Sequence, residues 1–377
     1  MLPLQLKDRI DYLLQEWVNQ NSYHGNPAGV KKIQDAVATE LDLLGIAHER
    51  VVPESDSTGE ILKAVLPATV VPAGDERAPI VSLICHADTV FPPDSAFQLI
   101  TWTRDRNRAI GPGVIDDKGG ILVILLVLEK LSKLAKRNFT VQMICMPGEE
   151  IGSPGFHAFL RQIGDESSMI LGFEPALPDG SIIHSRRGNR WYEIKMTGPG
   201  GHAGRDAGTV VNPMAELSLK IAELAKLTDL KAGVSVSPGS ITTDTTGFNV
   251  IPSQAVARID VRYDTNEARE ALHQKMLPIL EGTEWSLVED CPALPLNPES
   301  EKTAKQLVQL VHKIENRDIT AQKAFGSSDC NYAGRRGIPI IDGLGPIGTG
   351  LHSPKETIEM RSIFTRAEIV FRLLSGV

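Results

Sequence analysis

Four apolar segments of this chain each end at a residue that can bind a metal ion or carry a proton. The segments are residues 79–85, 139–146, 168–173 and 338–341, and the residues that follow them are His86, the pair Glu149 and Glu150, Glu174 and Asp342. Short apolar runs bounded by turn residues are typical of buried strands. In an open α/β sheet, ligands bind beyond the carboxyl ends of the strands, where residues remote in sequence converge. The sequence therefore predicts one composite site built from distant segments.

Strands and helices alternate over most of the 377 residues, with one interruption. Two amphipathic helices open the chain, and the alternation from residue 60 to residue 173 predicts an α/β fold, a mostly parallel sheet with helices on both faces. Residues 190–289 instead follow the order β-α-β-β-α-β, which predicts a ferredoxin-like α+β domain. We therefore predict a catalytic domain formed by residues 1–187 and 296–377, with residues 188–295 inserted as a second domain.

Composition and charge argue against several classes of partner. The chain has 39 basic and 47 acidic side chains, a net charge of −8, which gives no electrostatic reason to expect nucleic acid or an anionic membrane. The longest apolar run, residues 121–128, is far shorter than the ~20 residues that cross a bilayer. Charges from Lys7 onward interrupt the apolar core of a secretory signal, which predicts a cytoplasmic location. The four cysteines lack C-x-x-C spacing, so we expect reduced thiols.

Five residues are candidate metal ligands: His86, Asp116, Glu150, Glu174 and His352. Imidazole and carboxylate donors suit Zn²⁺, with Co²⁺ or Mn²⁺ as alternatives. Two divalent ions would be balanced by the three carboxylates and one hydroxide, and a dry site tolerates little charge imbalance. The residue types therefore predict two ions per chain.

Two further carboxylates call for roles of their own. Glu149 and Glu150 are consecutive, so they diverge and do not easily bind the same ion; we expect Glu150 to bind a metal and Glu149 to move protons as a general acid-base. Asp88 follows His86 by two residues in an extended segment, which places it to orient the imidazole ring.

Five motifs in a fixed order resemble the M20 metallopeptidases. They are His86-Ala-Asp88-Thr-Val, Gly111-Pro-Gly-Val-Ile-Asp116-Asp-Lys-Gly-Gly120, Gly148-Glu-Glu150-Ile-Gly-Ser, Glu174-Pro175 and His352-Ser. The resemblance spans nearly the whole chain and is strongest to the glutamate carboxypeptidase type, with deacylases and desuccinylases as related members. It implies a zinc-peptidase catalytic domain and an inserted lid domain through which two chains form a homodimer. One departure is Gly148, where the family commonly has an acidic residue.

The resemblance also implies roles for individual residues. Asp116 resembles the carboxylate that bridges the two metals, with a cis bond to Asp117, and Glu149 resembles the general base. His86 and Glu174 would complete one metal site, and Glu150 and His352 the other. His202 resembles the histidine that stabilises the oxyanion in the active site of the other subunit. Asn249 and Arg262 resemble lid residues that hold the carboxylate of the substrate.

The function predicted is hydrolysis of an amide bond next to a free carboxylate, in a small peptide or an N-acyl amino acid. A two-metal phosphoesterase and a non-catalytic, metal-stabilised dimeric binding protein are the alternatives. Simpler interpretations also exist for single motifs: Asp116 and Asp117 could cap a helix, His202 could be a surface residue, and Arg262 with Asp260 could form a surface ion pair. The G-x-G-x-x-G stretch at residues 343–348 does not indicate a dinucleotide site, because Pro346 and Gly350 disfavour the helix that must follow.

Overall fold

The computed structural model of the protein describes residues 4–52, 59–71, 77–334 and 337–376. The described chain forms two compact units. The second unit consists of Arg186–Pro295 together with Phe325–Ser327, and the first consists of the remaining described residues before, between and after them. None of the described helices combines the length and the apolar character needed to span a membrane.

The first unit carries most of the helices. Up to the insertion its elements are α1 (Leu4–Asn19), α2 (Pro27–Leu43), β1 (Ala47–Val51), β2 (Ile61–Leu66), β3 (Ile80–His86), β4 (Thr101–Trp102), β5 (Arg108–Ile110), α3 (Lys118–Ser132), β6 (Thr140–Met146), a 3₁₀ turn (Glu149–Ile151), α4 (His157–Glu166), β7 (Met169–Gly172) and β8 (Ile182–Arg186). The insertion contains β9 (Gly188–Thr197), β10 (Gly201–His202), α5 (Pro213–Ala225), β11 (Val234–Thr243), β12 (Val250–Ile251), β13 (Gln254–Tyr263), α6 (Asn266–Leu280) and β14 (Glu284–Cys291). After the insertion come α7 (Pro298–Glu315), β15 (Ala321–Ala324), α8 (Asp329–Ala333), β16 (Ile340–Ile341), β17 (Gly348–Thr349), β18 (Thr357–Glu359) and α9 (Met360–Ser375).

The main sheet of the first unit has the strand order β1-β2-β6-β3-β7-β16. The pairings β6-β3, β3-β7 and β7-β16 are parallel, so these four strands end at the same edge of the sheet. Alternate residues of β3 and β6, such as Val81 and Val141, enter the apolar core with the helices α1, α2, α3 and α9. The parallel centre that the apolar runs predicted is therefore confirmed.

The edge of this sheet differs from the predicted pattern. The first strand of the alternation predicted from residue 60 exists as β2, but it runs antiparallel to β6, and the additional strand β1 pairs with it in antiparallel orientation. A second small sheet, β17-β18-β5-β4, also escaped the sequence analysis. Its strands are only two or three residues long, too short to give a periodic signal.

The second unit has the predicted ferredoxin-like order of elements. Its four-stranded sheet, β11-β13-β9-β14, is antiparallel throughout. Alternate residues of β13 are buried with α5 and α6 in a separate apolar core, which leaves Arg258, Asp260 and Arg262 on the opposite face of the sheet. The backbones of Arg186 and Leu294 exchange two hydrogen bonds, of 2.8 and 3.0 Å, so the insertion begins and ends at neighbouring positions.

Candidate metal centre

The five predicted metal ligands form two clusters in the first unit that share one residue. His86, Asp116 and Glu174 make one cluster, and Asp116, Glu150 and His352 make the other; within each cluster the donor atoms lie within 4.8 Å of one another. One oxygen of Asp116, Oδ1, lies 3.0 Å from Nε2 of His86, and the other, Oδ2, lies 3.1 Å from Nε2 of His352. Asp116 therefore presents one carboxylate oxygen to each histidine.

The strand ends explain how these side chains meet. His86 is the last residue of β3, Glu150 follows β6 in the 3₁₀ turn, and Glu174 follows β7 by two residues. Because β3, β6 and β7 are parallel neighbours, their carboxyl ends deliver these residues to one place. The remaining carboxylate oxygens lie nearby: Oε1 of Glu174 is 3.6 Å from Nε2 of His86, and Oε2 of Glu150 is 3.2 Å from Nε2 of His352.

Two loops supply the other two predicted ligands. Asp116 ends the loop between β5 and α3, and its peptide bond to Asp117 is cis, as the resemblance implied. His352 lies between β17 and β18 with a φ of 57°, a left-handed conformation uncommon for a residue other than glycine. Its side chain is more than half exposed, whereas those of His86 and Asp116 are buried.

Asp88 contacts both His86 and the turn that carries the glutamate pair. Its Oδ1 lies 3.3 Å from Nδ1 of His86, and the backbone N–H groups of Glu149 and Glu150 donate to its two oxygens at 3.1 Å each. The backbone oxygen of Asp88 also lies 3.1 Å from the same imidazole nitrogen. One buried carboxylate therefore orients a histidine and holds the turn from which Glu149 and Glu150 project, a wider role than the sequence predicted.

The charges of the centre shift the proton affinities of its members. Burial, together with the Glu174 carboxylate, raises the pKa of Glu149 well above its usual range. Burial and the Asp116 carboxylate raise the pKa of Glu150 to about 7. Hydrogen bonds to Asp116 and Glu150 raise the pKa of His352 to about 10. A cation bound at this imidazole would therefore compete with a proton for the same nitrogen, and its binding would release protons.

The sequence analysis did not identify Asp329, which binds the residue that closes the 3₁₀ turn of Glu149 and Glu150. Asp329 is buried at the start of α8, and the Ser153 hydroxyl donates to its Oδ1 at 2.6 Å. Ser153 closes the turn, since its N–H donates to the oxygen of Gly148 at 2.8 Å. Burial raises the pKa of Asp329 to about 7. Only the short run Ser328-Asp329 hinted at this contact, as a helix start.

The glycine-rich stretch at residues 343–348 has a structural role at the centre. A β-carbon on Gly345 would lie 2.2 Å from the oxygen of Phe173 and 2.7 Å from that of Glu174, so only glycine fits at this close approach. The N–H of Gly345 donates to the Glu174 oxygen at 3.0 Å. Residues 342–347 form no helix, as Pro346 predicted.

The other three predicted site residues lie in the second unit. His202 is in β10 and pairs with Val250 of β12, directly beside Asn249, and both His202 and Asn249 are exposed. Nδ1 of His202 accepts hydrogen bonds from the N–H groups of Gly204 at 3.1 Å and Arg205 at 3.3 Å. In a neutral imidazole this places the remaining proton on Nε2, which can donate. Nε of Arg262 donates to Asp260 at 2.8 Å.

Comparison with known proteins identifies the family. The model of peptidase family M20/M25/M40 matches residues 83–376. Carboxypeptidase G2 of Pseudomonas sp. (strain RS-16) is 26% identical over 372 residues, which cover 96% of this chain and 87% of that protein. A succinyl-diaminopimelate desuccinylase of Pseudomonas fluorescens is 23% identical over 327 residues, with 80% and 83% coverage.

A solved structure gives the same result at the level of the fold. An M20 family metallo-carboxypeptidase from Sulfolobus solfataricus superposes with a TM-score of 0.78 at 16% identity, covering 96% of this chain and 98% of the other. The family is metal-dependent, and the two clusters around Asp116 form a candidate dinuclear metal site. The chain therefore belongs to peptidase family M20/M25/M40 and is a metallopeptidase.

Proposed function

We propose that the protein is a dinuclear zinc hydrolase that cleaves an amide bond next to a free carboxylate, as a carboxypeptidase or an N-acyl-amino-acid hydrolase. The main support is the position of Asp116, which presents one oxygen to each histidine, while Glu149 belongs to neither cluster and remains available as an acid-base. A single carboxylate shared between two clusters suits two neighbouring ions, whereas one ion would leave one cluster without a cation.

The donor set fits two divalent ions. His86, Asp116 and Glu174 would hold one, and Asp116, Glu150 and His352 the other, each with one imidazole and two carboxylates. Zn²⁺ accepts these ligands readily, as do Co²⁺ and Mn²⁺. When bound, the two ions polarise the substrate carbonyl and make water a stronger acid.

Glu149 performs the proton transfers in this proposal. Its carboxylate takes a proton from the attacking water and returns it to the nitrogen of the leaving amine. Asp88 fixes the backbone of Glu149 through the hydrogen bond at 3.1 Å, which restricts where the carboxylate can reach. Accurate placement matters because proton transfer requires hydrogen-bond distance to both the water and the amine.

Arg262 and Asn249 bind the free carboxylate of the substrate in this proposal. Asp260 holds the Nε edge of the Arg262 guanidinium and also accepts from Nε1 of Trp191 at 3.0 Å. Among the described residues, no hydrogen-bond partner contacts either terminal nitrogen of Arg262, so both remain for a bidentate contact with a carboxylate. In this proposal the ion pair with Asp260 orients the Arg262 guanidinium towards the substrate, in addition to being the surface ion pair considered from the sequence.

Replacing Arg262 with glutamine is expected to raise KM by about 10- to 100-fold with a smaller change in kcat, because a charge-assisted hydrogen bond contributes ~1.5–3 kcal/mol to binding. Steady-state kinetics with an acyl-glutamate and its α-amide provide the measurement, since the free acid should be preferred over the amide by the wild type but not by the variant. Arg258→Gln is the control, because Arg258 is an exposed arginine on the same strand and face, paired with Glu193. An unchanged KM in Arg262→Gln would contradict the assignment.

We also propose a homodimer in which His202 acts on the site of the neighbouring subunit. Nε2 of His202 is free to donate to the developing oxyanion because Nδ1 accepts two backbone hydrogen bonds. The second unit exposes large apolar side chains, among them Phe248, Leu219 and Val250, which are 105%, 65% and 43% exposed. Exposed apolar groups of this size favour burial in a protein interface.

Mixing two inactive variants tests this arrangement. Glu149→Gln lacks the base and His202→Gln lacks the oxyanion donor, so each homodimer should be nearly inactive. After subunit exchange, half of the dimers are mixed, and each mixed dimer has one site with both groups intact, which predicts about a quarter of wild-type activity. If His202 acts within its own chain, the mixture will stay as inactive as its components.

The substrate is to be identified by a screen of acyl-glutamates, acyl-ornithine, succinyl-diaminopimelate and dipeptides, with the metal content measured on the same sample. Hydrolysis of peptides or acyl-glutamates would assign a carboxypeptidase, and preference for the succinyl or ornithine substrates would assign a deacylase of amino-acid biosynthesis. Turnover of phosphodiesters with no hydrolysis of any amide would instead favour the phosphoesterase alternative.

A further inference from the structure

Glu356 accepts hydrogen bonds from several backbone N–H groups of the loop that ends at Asp116. Its Oε2 accepts from Gly113 at 3.0 Å, and its Oε1 accepts from Ile115 at 3.0 Å and from Asp116 at 3.2 Å. Its backbone oxygen accepts from Gly111 at 3.1 Å. Four donors of one six-residue stretch therefore end on a single residue that lies more than 230 positions away in sequence.

The three N–H partners of Glu356 favour an ionised carboxylate, whereas burial and the Asp116 carboxylate act against them and raise the pKa of Glu356 to about 8. Glu356 is completely buried, and all three partners of its side chain are N–H donors. An ionised carboxylate offers acceptor sites on both oxygens, whereas an amide of the same shape must turn a donor towards one of these N–H groups. Buried polar groups that face each other as two donors cost free energy and shift the backbone.

Glu356 also ties the Asp116 loop to the segment of His352. Glu356 follows His352 by four residues, and its N–H donates to the oxygen of Ser353 at 3.0 Å. The next residue, Thr357, pairs with Ile110 at the start of the Asp116 loop. The two loops that supply Asp116 and His352 are therefore held in register through one side chain and the strand pairing beside it.

We propose that Glu356 is a positioning residue of the metal centre. By binding the loop that carries Asp116, Glu356 fixes the position of the Asp116 carboxylate between the two ligand clusters. The inference rests on the proposed two-metal function. Glu356 supplies no donor atom to either cluster, so its effect on metal binding passes through the backbone of Asp116. Since Asp116 belongs to both clusters, a disturbance of this loop weakens the binding of both ions.

Zinc binding to Glu356→Gln tests the proposal. Competition with a chromophoric chelator, at fixed pH on the full-length protein, gives the two dissociation constants. Outer hydrogen-bond partners of metal ligands typically change metal affinity by about 10- to 100-fold, and we expect both constants to rise by at least tenfold. Glu299→Gln, the same change at an exposed position, is the matched control and should leave both constants unchanged.

Thermal unfolding of the metal-free proteins separates positioning from general loss of structure. We expect Glu356→Gln to unfold within a few degrees of the wild type, because the main core is untouched. If it fails to fold, Glu356→Asp takes its place: it keeps both acceptor oxygens but shortens the side chain, and should fold and bind zinc at least tenfold more weakly. Dissociation constants within a factor of two of wild type in the folded variant would overturn the proposal. A wild type that binds fewer than two ions in the same titration would instead contradict the proposed function.

Discussion

Replacing Glu149 with glutamine is expected to lower kcat by about 10³-fold or more while the metal content stays near two ions per chain. The amide keeps the size of the side chain but cannot accept a proton from water, and general acid-base catalysis typically contributes ~10²–10⁴-fold. Since Glu149 belongs to neither ligand cluster, its loss removes no metal donor. The measurement combines kcat with metal analysis of the same preparation.

The neighbouring residue provides the matched control. Glu150→Gln makes the identical change one position further along the same 3₁₀ turn, but at a residue of the His352 cluster. It should lower the metal content as well as the activity, because it replaces an anionic donor with a neutral one. If Glu149→Gln retains wild-type kcat, or if the two variants lose metal equally, the division of roles between the two glutamates is wrong.

Replacing Asp116 with asparagine is expected to reduce the metal content from about two ions to fewer than one, and to abolish measurable hydrolysis. Asp116 is the only residue in both clusters, and its two oxygens lie 3.0 and 3.1 Å from the two imidazoles. Asparagine offers one neutral oxygen in place of two anionic ones, so it cannot serve both ions. Metal analysis after dialysis, together with the rate on the preferred substrate, measures both effects.

The control for this change is an exposed aspartate of the same unit. Asp94→Asn removes one negative charge from the surface of the first unit and should keep two ions and full activity. A further comparison is the addition of excess zinc, which should not restore Asp116→Asn. Full metal content in Asp116→Asn would show that the two ions do not share this carboxylate.

The sequence predicted part of the centre because three of the five candidate ligands have a local signal. His86, Glu150 and Glu174 follow apolar runs, and strand ends of a parallel sheet converge. Asp116 and His352 lie in loops, and their placement depended on the resemblance to the family rather than on periodicity. The cis bond after Asp116 came from the same resemblance.

The missed features have physical reasons in common. The direction of β2 could not be predicted, because an apolar run is compatible with parallel and antiparallel neighbours alike. Glu356 and Asp329 act through backbone groups or a single hydroxyl of distant segments, and such partners leave no pattern in the sequence. The spacing of Asp88 and His86 predicted that Asp88 orients the imidazole. Its hydrogen bond from the N–H of Glu149 joins residues distant in sequence, so only the structure shows it.

The paired backbones of Arg186 and Leu294 have a consequence for how this chain could have been assembled. Because these two positions exchange hydrogen bonds, the two ends of the insertion lie side by side, as the two strands of a hairpin do. The entropy of closing a loop grows only slowly with its length, by ~0.6 kcal/mol for each doubling, and the insertion closes its own ends. A hundred residues can therefore interrupt the fold at little cost to its assembly, and every residue of the Asp116 clusters lies outside the insertion.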